Sequence, residues 1–172
     1  KDPAVVALGE MGLDYHYTFA ARDKQRPVFE AQLALAVELD RPVVIHCREA
    51  VDDTLAILAN NPPLRAVFHC FTGTSAEARR IVHAGHYLGF AGAVTFKKSE
   101  DLREAARLCP LDRLLVETDA PYLTPEPMRK QKTNEPALVV HTARLLADVR
   151  QIAFEQLEQA IADNTRRFFD WP

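Results

Sequence analysis

The sequence predicts an α/β fold built on a parallel sheet, and three observations carry that reading. Short apolar runs recur along the 172 residues, separated by longer amphipathic stretches. The runs are mostly unalternating, as expected of strands buried on both faces. Strand alternates with helix, which argues for parallel pairing through right-handed crossovers.

The first run is residues 4–9 (AVVALG), and a helix follows near 26–39. There Phe29, Leu33 and Val37 fall four residues apart, and Pro27 suits the first turn. The next runs are 42–45 (PVVI) and 65–68 (RAVF). Thr74-Ser75-Ala76-Glu77 is a capping-box pattern that opens another helix, with Gly85 placed to close it. The fourth run, 87–91 (YLGFA), leads to a helix capped by Ser99 and reaching about Leu108. The fifth, 113–116 (RLLV), precedes the longest loop, 121–136, which is rich in proline and charge. Helices near 137–149 and Phe154–Phe169 complete the pattern. No low-complexity tract or linker interrupts it, so residues 1–172 are expected to form one domain.

Hydrophobic residues make up 48% and charged residues 26%, an ordinary globular balance. No apolar stretch approaches the roughly 20 residues needed to cross a bilayer, so no membrane role is expected. The cysteines Cys47, Cys70 and Cys109 are odd in number and lack C-x-x-C spacing, which makes the cytoplasm the expected location. A net charge of −3 excludes a polycation that coats nucleic acid, so any such contact must come from a local patch.

Chemistry-bearing side chains gather where the runs end. The first runs into Glu10, the second into His46, the third into His69 and the fifth into Asp119. Parallel α/β folds collect functional groups at such positions. A lone histidine is more often a core residue, and a lone carboxylate is often a helix cap. Four together form a constellation of nitrogen and oxygen donors suited to Zn²⁺, Mn²⁺ or Mg²⁺. Cys47 and Cys70 directly follow the two histidines, so strand alternation turns them away from the site as packing residues. The same alternation sets Glu117 on the side of Asp119, where one binds metal while the other orients it or meets substrate. Arg48 shares the face of His46 and is a candidate phosphate contact. Arg129, Lys130 and Lys132 cluster in the long loop, as a second phosphate site or as a solvated charged segment.

The ordered motifs GEMGLDYH (9–16), VIHCR (44–48), FHCFTG (68–73), GFAG (89–92), VETDAPYL (116–123) and NEPA (134–137) resemble the TatD-type metal-dependent deoxyribonucleases of the amidohydrolase superfamily. The resemblance implies a (β/α)₈ barrel of TIM type with two divalent metal ions (Mg²⁺, Mn²⁺ or Zn²⁺) at the C-terminal mouth of its strands. Glu10 then looks like the metal-bridging carboxylate of strand four, and His46 and His69 like the histidines of strands five and six. GFAG looks like strand seven, and Asp119 like the metal-binding aspartate of strand eight. The family's His-x-His motif occurs nowhere in these 172 residues. The expectation is therefore a chain covering about strands four to eight, without three N-terminal βα units of roughly 30 residues each. The implied activity is 3′-to-5′ deoxyribonuclease action on DNA strand ends. Asp119, with Glu117 beside it, is the candidate catalytic carboxylate, while Arg48, Arg129 and Asn134 position phosphate. Hydrolysis of another ester or amide on the same scaffold, aminoacyl-tRNA included, is the first alternative, and a non-catalytic binding module is the second.

Overall fold

In the computed structural model, which describes residue 2, residues 4–17 and residues 19–171, five strands pair in sequence order in one parallel sheet. They are β1 (Leu8–Asp14), β2 (Val43–Arg48), β3 (Ala66–Phe68), β4 (Tyr87–Phe90) and β5 (Leu114–Val116). Between them run α1 (Arg22–Leu39), α2 (Val51–Ala59), α3 (Ser75–His83) and α4 (Glu100–Leu108), and α5 (Val139–Arg150) and α6 (Phe154–Phe169) follow the last strand. The α/β class with a parallel sheet stands as expected. No helix among the described residues is long and apolar enough to cross a membrane.

Alternation divides each strand between two faces. Val43, Ile45, Ala66, Phe68, Leu88, Phe90 and Leu114 turn to the helices and form the main core with Phe29, Leu33, Ile81 and Leu146. Val67, Tyr87 and Leu115 turn the other way and pack with Phe168 from the end of α6. On that second face the next residues in line are His46, His69 and Glu117, so the apolar layer is the floor beneath the polar site.

Two expected elements move. β1 is not residues 4–9 but Leu8–Asp14, because the stretch that pairs with β2 is the one burying Met11 and Leu13 at 5% and 0% exposure. Val5 and Val6 stay exposed. Pairing slips between Leu8 and Met11, where three steps along β1 match two along β2, and Glu10 sits in this bulge. Helix α1 starts at Arg22, not beside Pro27, which lies in its second turn. Gln25 secures that early start by accepting from the Asp14 N–H at 2.8 Å and donating to the carbonyls of Asp14 and Ala20. α2 (VDDTLAILA) lacks a clear polar face, so periodicity gives it no signature.

The capping box opening α3 forms as expected. Glu77 N–H donates to Thr74 Oγ1 at 3.2 Å, and Thr74 N–H donates to the Glu77 carboxylate at 2.7 Å. Gly85 follows that helix with φ +89°. Ser99 occupies the N-cap of α4 without a side-chain hydrogen bond.

His86, between α3 and β4, packs near Phe68 with ring centroids 5.9 Å apart. Burial pushes its pKa below the ordinary 6.5, so the fold favours the neutral ring. The unfolded chain then binds the extra proton first. The stabilisation is complete above pH 6.5 and is lost as pH falls through the lower, folded value. Thermal midpoints measured from pH 7.5 to 5 should therefore fall less steeply for His86→Gln than for the parent; parallel curves would refute this.

Candidate metal centre

The bulge in β1 and the mid-strand place of His46 in β2 bring Glu10 and His46 side by side, with Glu10 Oε1 2.8 Å from His46 Nδ1. His69, directly after β3, comes in from the next strand with Nε2 3.2 Å from the same Glu10 oxygen. One donor atom from each of Glu10, His46 and His69 lies within 4.8 Å of the others. Asp119, three residues past β5 in left-handed backbone (φ +57°), brings Oδ1 to 3.9 Å from His69 Nε2. These four, with Cys47, Arg48, Cys70 and Thr72, line a cavity of about 200 Å³. The donors thus converge from β1, β2, the end of β3 and the segment after β5, and the set of two imidazoles and two carboxylates suits a hard or borderline divalent cation.

The expected position of all four at strand ends holds for His69 and Asp119 only. Glu10 and His46 lie inside β1 and β2, because the pairing of these two strands continues to Asp14 and Arg48.

Both histidines are held from behind. His69 Nδ1–H donates to Glu117 at 2.7 Å, and the other oxygen of Glu117 accepts the Cys70 N–H at 2.7 Å. Glu117 therefore backs His69 and turns its Nε2 into the cavity, where it faces Glu10. Burial pulls the His69 pKa down, but the Glu117 hydrogen bond and the charges of Glu117, Glu10 and Asp119 outweigh it and raise it. Burial likewise raises the Asp119 pKa, helped by Glu117 and Glu10 and opposed by His69 and Arg48.

Spacing alone did not single out Asp14. Its Oδ2 meets His46 Nε2 at 2.8 Å, while Oδ1 accepts the N–H groups of His16 and Tyr17 at 3.0 and 2.9 Å. Burial pushes the Asp14 pKa up, but these bonds prevail and lower it. Strand periodicity held a signal, because Asp14 is four residues beyond Glu10 on the same strand.

Cys47 turns its thiol towards α2 as expected, with Sγ 3.5 Å from Thr54 Oγ1, although the residue also lines the cavity. Cys70 does not. It has left the strand with φ +44°, lines the cavity, and burial raises its thiol pKa far above the usual value. A protonated thiol is a poor ligand.

Two expected substrate contacts lie elsewhere. Asn134 is buried, and its side-chain amide donates to the carbonyls of Thr118 and Tyr122 while its oxygen accepts the Glu135 N–H. These bonds leave its amide no freedom to reach a phosphate; it shapes the loop that carries Asp119. The Arg129 guanidinium covers the Phe96 ring at 3.5 Å from its centroid and does not line the cavity. Arg48 does line it, and no carboxylate pairs with it among the described residues.

Gly89 explains part of the GFAG motif. A Cβ built there would run into the Glu117 carboxylate, so glycine is what lets Glu117 reach His69 and Cys70. Glu117→Gln is expected to keep the fold but weaken metal retention by roughly 10- to 100-fold. Metal content after dialysis against graded chelator measures this, and retention equal to the parent's would remove Glu117 from the site.

The profile of the family described as TatD related DNase matches residues 1–170. The chain is 42% identical over 167 residues to the "uncharacterized metal-dependent hydrolase YabD" of Bacillus subtilis, covering 96% of this chain and 65% of that protein. It is 43% identical over 175 residues to the "3'-5' ssDNA/RNA exonuclease TatD" of Pantoea vagans, covering 98% and 67%. The crystal structure of YJJV, a TatD homologue from Escherichia coli K12, superposes with a TM-score of 0.90 at 29% identity, covering 99% of this chain and 66% of that one. The chain thus spans about two thirds of the length of these relatives.

Proposed function

Since this chain belongs to the TatD related DNase family, we propose that the complete protein is a divalent-metal-dependent phosphodiesterase that trims single-stranded DNA, and RNA, from the 3′ end. The observation that carries the reading is the convergence of Glu10, His46 and His69 within 4.8 Å of one another, beside Asp119 and Arg48, which has no carboxylate partner among the described residues. The exonuclease named among the relatives supports the choice of substrate. We further propose that β1 to β5 are strands four to eight of a (β/α)₈ barrel, and that Glu10, with His46, His69 and Asp119, would help to hold two ions (Mg²⁺, Mn²⁺ or Zn²⁺). The sequential parallel order of the strands supports that correspondence.

Divalent ions bound at these donors would supply Lewis acidity at the phosphate and lower the pKa of water there. The chain's own groups do the rest. Glu117 takes the Nδ1–H of His69 and Asp14 takes the Nε2–H of His46, so each ring offers its other nitrogen to the cavity. The Asp119 carboxylate, raised in pKa by burial, accepts the proton of the attacking water as general base. The Arg48 guanidinium binds the phosphate oxygens as a two-pronged donor.

The test is a 5′-labelled single-stranded oligonucleotide incubated with the full-length protein and Mg²⁺ or Mn²⁺, alongside a lactone and an aminoacyl-tRNA. A ladder receding from the 3′ end supports the reading. Intact DNA with turnover of either ester would replace it with another hydrolase on the same scaffold.

A further inference from the structure

Beyond Asp14, the end of β1, the described loop residues present three aromatic rings in contact. His16 meets Tyr17 edge to face with centroids 4.8 Å apart, and Tyr17 stacks on Phe19 at 5.1 Å with 24° between the planes. Tyr17 is 45% exposed and Phe19 is 92% exposed. A single exposed phenylalanine requires no explanation. This one differs in three respects.

First, the stack is tied to the metal centre. The Asp14 carboxylate that accepts from the His16 and Tyr17 N–H groups is the one that meets His46. Second, the stack adjoins a groove of about 650 Å³, within the range of ligand pockets. Cys47, Arg48 and Thr72 line both that groove and the metal cavity. Third, Arg48, among the described residues the only cation shared by the two spaces, holds its guanidinium 5.3 Å from the Tyr17 ring centroid. The acids of the groove already have partners within it: Glu49 meets His16 at 2.7 Å, and Glu77 accepts from Thr74. Among the described residues, the groove therefore offers an anion one guanidinium without a carboxylate partner, beside an open aromatic face.

We propose that the Tyr17–Phe19 stack is a platform for an unpaired nucleobase adjoining the scissile bond, with the phosphate of that nucleotide on Arg48. This deepens the nuclease reading and rests on it. Bases of every kind have a π-face, so such a platform selects for strand openness rather than sequence. A terminal base held in a duplex is already stacked and paired, and it reaches the platform only after fraying.

The probe is a single-stranded decanucleotide ending 3′ in 2-aminopurine, whose fluorescence falls when the base stacks, bound to the full-length protein in EDTA so that no cleavage occurs. An oligonucleotide with an abasic 3′ residue and a 5′ fluorophore serves as comparison. The parent is expected to quench the base. Phe19→Ala should lose the quenching and bind roughly 5- to 150-fold more weakly, and Phe19→Trp should recover both. All three should bind the abasic strand equally.

Quenching and affinity unchanged in Phe19→Ala, or no preference of the parent for the base over the abasic end, would overturn the platform. The two readings separate cleanly. Phe19-dependent quenching by a protein that cuts no DNA keeps the platform and removes the nuclease. Exonuclease action with Phe19→Ala indistinguishable from the parent does the reverse.

Discussion

Glu10→Ala is expected to strip the site of metal and to reduce hydrolysis by roughly 10³-fold or more, a loss of about 4 kcal/mol of transition-state stabilisation. Among the described residues, Glu10 is the one carboxylate that approaches both imidazoles, at 2.8 Å from His46 and 3.2 Å from His69. Its removal takes away the carboxylate that lies against both rings and leaves Asp119, 3.9 Å from His69, as the remaining acid of the donor set. His46 and His69 stay oriented by Asp14 and Glu117, so the fold should persist. Metal analysis of the purified full-length variant and its circular dichroism would be read together. Full metal content in a folded Glu10→Ala protein would show that the ion binds elsewhere.

Gly12→Ala should act on the fold instead, and severely. Gly12 has φ +144°, where a side chain is strained, and a Cβ there would overlap the His46 carbonyl of the neighbouring strand. That atom belongs to the β1–β2 pairing that runs on to Asp14 and Arg48, so it cannot retreat without parting the strands. Destabilisation on the order of 4 kcal/mol would lower the thermal midpoint by roughly 8–16 °C for a protein of this size class. Gly85→Ala is the control. It shares the positive φ, but open space surrounds its Cβ position, so only the backbone strain of about 1 kcal/mol applies. Equal midpoints for the two variants would mean that the overlap relaxes freely.

Much of this site was legible because its donors interrupt apolar runs. His46 and His69 follow PVVI and RAVF; either imidazole alone reads as a core residue, and the recurrence of donors after successive apolar runs is what marks a site. Alternation also foretold that Cys47 would face α2 and that Glu117 would share the site's face. What spacing could not carry is the part made by distant pairing. Glu117 backs His69 across 48 residues of chain, and Gly89 matters because of an atom on a different strand. The bulge that seats Glu10 belongs to the register between β1 and β2, not to either strand alone. Asn134 misled for a related reason: an amide suits a phosphate and a loop carbonyl equally well, and only the folded loop decides between them.

The shared duty of Asp14 has a consequence that would be seen without turnover or ligand. One of its oxygens faces His46 and the other fixes the amides of His16 and Tyr17. A cation held by His46 would polarise that imidazole and strengthen its grip on the same carboxylate, which in turn would order the two amides. By reciprocity, whatever immobilises those amides must favour the cation by the same factor. The solvent-exchange rates of two backbone hydrogens outside the cavity are thus a gauge of how full it is.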